Sequence, residues 1–462
     1  MSKRPVFTRG IHDGVNELGL NIIKVTFEDC DQMLRESGKR KLDWYIVRKD
    51  EKELTTSLGT VKFKKTLFQN KQSGKDCYLL DRIMGIEPHE RLTEDAEAKM
   101  LEEAVETSYR KAGEETSLMD EVSKETVMNK IHSLQFPEAP KPKQKKVVDY
   151  LYVDADEDHV ALQYKEKKGD LGVGENNRKD NCVMVKLVYV YEGIEPEAPK
   201  SKRHRLVNPH YFSGVYDDTD NQKLWDELYE YLDSQYDLGK VKKIYLNADG
   251  GSWIQAGKRR IAGITSVLDE FHLRKYLLKM TAHMLDSADE ARKELKDAIR
   301  YGTKEDFKKA VGKIEGCAEN EAVKGRVAEG ERYILSNWTA ARIRLERLEP
   351  VVGCSAEGHV SHVLSSRMSS RPMGWSRTGA DQMGHLRAYS WNGGDMLELV
   401  RYQAKGLPIA AGAEDDVLSC EDMLKWERQH YNKLGKYIDS ISHSVSLQTK
   451  KKFGFKTHIY GL

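Results

Sequence analysis

The sequence predicts an α/β protein whose mixed-sheet core is interrupted by a helical insertion and preceded by an α+β region. Three observations predict it. Short β-branched and aromatic runs are concentrated between residues 147 and 248, and an almost continuous helical pattern follows from about 273 to 346. The first 136 residues combine an alternating stretch with short amphipathic segments.

Bulk properties set the frame. A chain of 462 residues is too long for one ordinary domain, and domain sizes suggest roughly two to four folding units. With 39% hydrophobic and 32% charged residues the composition is globular with a heavily solvated surface, which excludes a disordered chain. The 75 Lys and Arg nearly balance the 74 Asp and Glu, so any basic surface must be local, and net charge neither supports nor opposes a nucleic-acid partner. Cysteines at 30, 77, 182, 317, 354 and 420 form no C-x-x-C pair, which favours reduced thiols. MSKRPVFTRGIHDG carries no signal-peptide core, and the most apolar run, CVMVKLVYVY, is short and broken by Lys186. The expectation is a cytoplasmic protein.

Region 1–136 opens with KRKLDWYIVRKDEKELTTSLGTVKFKKTLFQNKQSGKDCYLL, which alternates apolar and basic residues around the turn Asn70–Gly74. It reads as a β-hairpin with a lysine-rich face. Beyond it the apolar spacing suits short helices, with Thr93 and Ser123 as caps. Ser123 followed by Thr126, Val127, Asn129, Lys130 and Ile131 fits the second helix of a helix-turn-helix, which would place Ser123, Thr126, Asn129 and Lys130 against DNA. The same pattern fits an ordinary helical hairpin.

Residues 137–146, PEAPKPKQKK, hold three prolines and four lysines and read as a linker. Then VVDYLYVDADEDHVALQYK and NCVMVKLVYVYEG, separated by a polar Gly-rich turn, suggest adjacent antiparallel strands. DNQKLWDELYEYLDSQYDL places Leu224, Trp225, Leu228, Tyr229 and Leu232 at helical spacing ahead of the strand in KKIYLNADGG. The order strand, strand, strand, helix, strand is that of an RNase H-like core spanning 147–272. The insertion at 273–346 carries i, i+4 charge pairs. Residues 347–462 would complete the core and end in a basic tail.

Within this frame the acids stand out. Asp156 lies in the cluster Asp154, Asp156, Glu157 and Asp158, and Asp249 ends the strand Tyr245–Ala248. Carboxylates at strand ends can converge on a hard cation such as Mg²⁺, which takes oxygen ligands and keeps several waters. Two ions roughly 4 Å apart activate an attacking oxygen and stabilise the leaving one. No G-x-S-x-G elbow, Walker A loop or H-E-x-x-H motif offers a competing chemistry. Each acid also has a plainer reading: Asp249-Gly250 suits a turn, residues 154–158 a solvated hairpin, and Glu357 the first turn of a helix.

Taken together, YLYVDADEDHVALQ, IYLNADGGSWIQAG, VLDEFHLRKYL and GCSAEGHVSHVLSSRMSSRPMGWS, with the earlier ERLTEDAEAKMLEEAVETSYRKAG, resemble the transposases of ISLre-type insertion sequences, of the Mutator-like DD(E) superfamily. The resemblance covers most of the chain. It implies a DD(E) catalytic domain with Asp156, Asp249 and Glu357 as catalytic residues holding two Mg²⁺ or Mn²⁺ ions. Asp249 follows Asp156 by 93 residues and precedes Glu357 by 108, the wide gap holding the helical insertion such enzymes carry. Asp269–His272 looks like a D-x-x-H signature, which would put His272 near the site as a group orienting DNA or phosphate; a core histidine is the plainer reading. Asp154 and Asp156 would share a strand face, and Asp156 is preferred as the ligand with Asp154 as an electrostatic neighbour. Trp253 could stack on a base, but core packing is preferred. Arg367 and Arg371, four apart, would share a helix face and contact phosphates if the helix continues that far; an ordinary solvated basic face is an equal reading.

The resemblance implies a transposase that binds the terminal inverted repeats of its element, hydrolyses the ends and joins the 3′-hydroxyls to a target. Its partners would be double-stranded DNA and further copies of itself. Two rivals stand beside it: an RNase H-like nuclease without strand transfer, and a DNA-binding regulator with an unused site.

Overall fold

A computed structural model describes residues 7–163, 181–217, 220–347 and 350–405, so the Gly-rich turn expected after residue 163 and the basic tail lie outside the described residues. Two compact units emerge, Met1–Gln135 with the chain from Asp395 onward, and Phe136–Gly394. The division falls beside the proline-rich 137–146 stretch, while the described residues 395–405 join the first unit instead of closing the second. Among the described residues no helix is long and apolar enough to cross a membrane.

The first unit begins with a long helix, α1 (Phe7–Glu36), then α2 (Gly38–Asp43) and the antiparallel strands β1 (Trp44–Thr55), β2 (Thr60–Asn70) and β3 (Asp76–Cys77). The turn at Asn70–Gly74 forms as expected: Asn70 Oδ1 accepts from the Gln72 and Ser73 amides, and Gly74 takes φ +69°. The strand it leads into is only two residues long, however. The long hairpin turns earlier, at Thr56–Gly59, where the Thr56 hydroxyl accepts from the Leu58 and Gly59 amides. Nor is the lysine-rich face uniformly solvated. Lys62 and Lys64 are exposed, but Lys65 is buried against Asp81 with its ammonium 3.8 Å from the Tyr78 ring centroid. Leu34, Trp44, Leu54, Val61, Phe63, Phe68, Leu79 and Leu80 form the core. Four helices complete this stretch: α3 (Leu79–Met84), α4 (Glu94–Glu106), α5 (Tyr109–Glu115) and α6 (Lys124–His132).

The second unit is built on β4 (Tyr150–Ala161), β5 (Cys182–Tyr191), β8 (His210–Gly214), β9 (Lys243–Ala248) and β10 (Ile264–Leu268), with β6 (Gly193–Pro196) and β7 (His204–Val207) as a separate ribbon. The five strands run in the order β10-β9-β4-β5-β8; β4, β5 and β8 are antiparallel neighbours, and β9 and β10 lie parallel to β4. The result is a mixed sheet. Because side chains alternate along a strand, Leu151, Val153 and Ala155 share one face with Val188, Val190, Ile244, Leu246 and Ala248. Helices α7 (Asn221–Gln235) and α8 (Ser252–Arg260) cover that face through Leu224, Trp225, Leu228, Leu232, Trp253 and Ile254. Tyr229, expected on the buried stripe of α7, is exposed, and Tyr231 packs there instead. Gly257 admits the Trp225 ring so closely that a Cβ would lie 2.5 Å from it.

The helical insertion follows as expected. Its helices are α9 (Glu270–Thr281), α10 (Ala288–Tyr301), α11 (Lys304–Gly316), α12 (Glu321–Ser336) and α13 (Trp338–Glu346). They enclose a core of their own that includes Leu277, Leu295, Ile299, Phe307, Val311, Val327 and Ile334. Caps mark the breaks, a Thr303–Asp306 capping box opening α11 and Asn320 opening α12. The chain then forms α14 (Ala356–Val360), a π-helical turn over Ser361–Ser365, the short α15 (Ser366–Met368) and α16 (Arg377–Trp391). The fully buried Arg387 donates from Nε to Val363 O and from Nη2 to His362 O, satisfying carbonyls of the widened turn. Last, α17 (Met396–Lys405) belongs to the first unit, where it packs on α4 and Arg401 pairs with Glu94.

Candidate active site

Strand register places the acids. The parallel pairing of β4 with β9 ends at Ala155 opposite Ala248, and that of β9 with β10 ends at Ala248 opposite Leu268. Asp156, Asp249 and Asp269 each stand one residue beyond those pairs, so three adjacent strands present an acid at the same level. Glu357 arrives from a different part of the chain, exposed in the first turn of α14 behind Ser355.

The electrostatics tie these groups together. Burial pushes the Asp156 carboxyl up to about 7; the Glu157 amide works against that, while the negative charges of Glu157, Asp249 and Glu357 add to it. Burial likewise raises Glu157, opposed by the Trp253 indole N–H, which donates to Glu157 Oε2 at 2.6 Å. Asp249 Oδ1 accepts from the Gly251 amide at 2.8 Å, and its carbonyl accepts from Tyr333 of the helical insertion at 2.5 Å. Among the described residues no three His, Cys, Asp or Glu side chains form a ready-made ion cage.

His272 faces the same charges. Asp269 caps α9 and meets His272 Nδ1 at 2.9 Å, and this bond raises the imidazole against burial, with Asp249 and Asp156 contributing further. Burial pushes Asp269 upward, but its hydrogen bonds with His272 and the backbone hold it below the usual carboxylate range. Trp253 is buried beside Trp225, with ring centroids 5.9 Å apart.

Asp154 is fully buried beneath this edge and accepts from Tyr189, Tyr191, Asn247 and the Ser355 amide. Desolvation raises its carboxyl and those four hydrogen bonds oppose the rise. On sequence alone Asp154 stands as a neighbour of Asp156, and Asn247, Ser355, Tyr189, Tyr191 and the buried Arg344 do not stand out. A signal exists for Asp154, Tyr189 and Tyr191 alone, as alternation in YLYVDAD and VYVY, where every second residue is polar or aromatic.

Other expected contacts are placed differently. The helix with Arg367 ends at Met368, so Arg367 and Arg371 do not share a helix face. Arg367 is buried with its guanidinium 4.8 Å from the Trp375 ring centroid, whereas Arg371 is exposed. In the first unit, Ser123 caps α6 by accepting from the Thr126 amide, and Lys130 pairs with the buried Glu97 at 2.6 Å. Structural roles therefore engage Ser123, Thr126 and Lys130, while Asn129 is exposed.

Comparison with known proteins adds a family. Residues 7–405 match the model of an uncharacterised protein family, UPF0236. Family members from Caldanaerobacter subterraneus subsp. tengcongensis are 37% identical over 390 residues, covering 84% of this chain and 78% or 79% of theirs. One of those sequences carries eleven locus designations and another four, so the family is multi-copy within one genome. Among solved structures, the Drosophila P element transposase strand transfer complex matches at 11% identity and a TM-score of 0.22, covering 80% of this chain and 96% of that one. That likeness is too slight to bear on what this chain does. The chain belongs to the UPF0236 family.

Proposed function

We propose that this UPF0236 member is a DD(E)-type DNA transposase that cuts the inverted-repeat ends of its own element and joins them to target DNA. One observation carries the reading: Asp156 and Asp249 stand side by side past the pairing of parallel strands, and the charges of Asp249 and Glu357 act on the Asp156 carboxyl. The mixed sheet, with β9 and β10 parallel to β4 and the other neighbours antiparallel, supports reading it as RNase H-like, the scaffold on which such acids are expected. Multiple copies of relatives in one genome accord with a gene that moves.

Carboxylate oxygens are the donors a hard divalent cation takes, and the like charges of Asp249 and Glu357 acting on Asp156 support placing a cation among them. Asp156, Asp249 and Glu357 would be the ligands, with waters and DNA phosphate oxygens supplying the remaining positions. Two Mg²⁺ or Mn²⁺ ions, when bound, supply activation of the attacking oxygen and stabilisation of the leaving oxygen in an in-line displacement at phosphorus. His272, fixed by Asp269, orients the scissile phosphate, and Trp253 with Glu157 forms a rigid wall beside the acids. In the first unit the exposed side of α6, with Lys124 and Asn129, is the surface for DNA-end recognition.

The test is incubation of the purified chain with its element's ends and Mg²⁺ beside Asp156→Asn and Glu357→Gln. Nicking is expected from the wild type alone. Equal nicking by all three overturns the site, and specific end binding without any nicking favours a DNA-binding regulator.

A further inference from the structure

Each candidate acid has, two residues before it, a member of one buried hydrogen-bond network: Asp154 before Asp156, Asn247 before Asp249, and Ser355 before Glu357. On β4, residues i and i+2 lie on the same face, so holding Asp154 directs Asp156; Asn247 fixes the end of β9 from which Asp249 leaves, and Ser355, the N-cap of α14, fixes the helix start that carries Glu357. Asp154 and Asn247 are direct register partners on β4 and β9, and Asn247 Nδ2 donates to Asp154 Oδ1 at 2.7 Å. The Ser355 amide donates to Asp154 Oδ2 at 3.0 Å, and the Tyr189 and Tyr191 hydroxyls donate at 2.8 and 3.1 Å. These four donors, with the Ser355 hydroxyl as a longer fifth at 3.4 Å, occupy the accepting capacity of this fully buried carboxylate, which leaves no lone pair directed at solvent or an ion.

Arg344 secures the other side of the network. Its Nη2 donates to Asn247 Oδ1 at 2.6 Å, its Nε to Leu268 O at 2.8 Å and its Nη1 to Val352 O at 2.7 Å. One guanidinium thereby joins Asn247 on β9, the last residue of β10 ahead of Asp269, and the chain entering Ser355. We infer that Asp154, Asn247, Ser355 and Arg344 form a positioning lattice that aims Asp156, Asp249 and Glu357 at a shared cation. Asp154 is a positioning residue and not a ligand. The inference rests on the assignment of those three acids as ligands.

The experiment measures Mn²⁺ binding to the full chain by calorimetry, alongside kcat and KM for end nicking. Asp154→Asn places an amide N–H among donors that need acceptors. It is expected to weaken Mn²⁺ binding about tenfold or more, the scale on which outer-shell partners of metal ligands act, and to lower kcat with KM for DNA little changed. Combining Asp154→Asn with Asn247→Asp exchanges carboxylate and amide across the same pair, and is expected to recover Mn²⁺ affinity by about threefold or more. Wild-type affinity in folded Asp154→Asn overturns the inference, as does a double variant no better than the single. Should Asp154→Asn not fold, Tyr191→Phe removes a single donor, and Mn²⁺ binding is then expected to weaken by roughly threefold; unchanged binding overturns the inference. If Asp156→Asn binds Mn²⁺ as the wild type does, the ligand assignment fails and the lattice with it. Loss in Asp156→Asn with full affinity in Asp154→Asn sinks the lattice alone.

Discussion

The two faces of the five-stranded sheet bury different kinds of side chain. On one, Leu151, Val153, Val188, Val190, Ile244 and Leu246 meet the helices α7 and α8 in an aliphatic core. On the other, alternate residues of the same strands are Tyr152, Asp154, Tyr189, Tyr191, Tyr245 and Asn247, with the Tyr152 ring centroid 5.4 Å from Tyr191 and 5.8 Å from Tyr245. The first face gains stability from area removed from water, which is non-directional and tolerant of repacking. The second buries polar atoms that must each find a partner, so it gains direction and loses tolerance. Neighbouring residues in one strand thus serve stability and geometry separately, and substitutions one position apart should have different readouts.

The largest break is expected at the functional edge of the polar face. On the proposed ligand role, Asp249→Asn should lower end nicking about a thousandfold, or about 4 kcal/mol, with the melting transition unmoved. Nicking within about tenfold of wild type would remove Asp249 from the site. On the aliphatic face the fully buried Leu228 gives the opposite signature: Leu228→Ala should cost roughly 2–5 kcal/mol in urea unfolding while nicking per folded molecule holds. Lost nicking without lost stability would merge the two faces.

His210 tests the aliphatic face by pH. It pairs with Val190 across β8 and β5 and stacks on Tyr231 with centroids 4.0 Å apart, and burial pushes its imidazole down to about 4. Both folded and unfolded chains are neutral there above about 6.5; as pH falls from 6.5 toward 4 the unfolded chain takes the proton first, so stability is lost. The loss should reach about 3 kcal/mol at most near pH 4, and His210→Phe should flatten that part of the stability curve. A curve unchanged by the substitution would deny His210 this role. The smallest effect is expected from Tyr189→Phe, which removes one donor to Asp154 and should cost about 1 kcal/mol in urea unfolding. A cost near zero would mean the other donors satisfy Asp154 alone.

How much of this was legible follows from how local each cause is. Alternation in YLYVDADEDHVA and the spacing of Leu224, Trp225, Leu228 and Leu232 are local signals, and strands and helix formed where they pointed. The helical insertion and the Asn70–Gly74 turn were likewise written in short-range chemistry. Tyr229 misled because helical spacing marks a stripe without fixing its width, and its ring fell on the solvent edge. Arg367 looked solvated in a Ser- and Arg-rich segment; Trp375, eight residues on and past a chain reversal, covers it. Arg344 had no local signal at all, since its partner Asn247 lies 97 positions away.

The widened turn after Glu357 carries a consequence for how this segment tolerates insertions and deletions. Each residue of an ordinary helix turns the chain by about 100°, so the phase of Glu357 relative to everything downstream depends on the residue count through 361–365. Removing a single residue there would let an ordinary helix form, rotate the acid away from its neighbours and leave the Arg387 guanidinium without the carbonyls it holds. Residue count and side-chain direction are coupled at that spot, and an in-frame single-codon deletion would act there as a mutation of Glu357 itself.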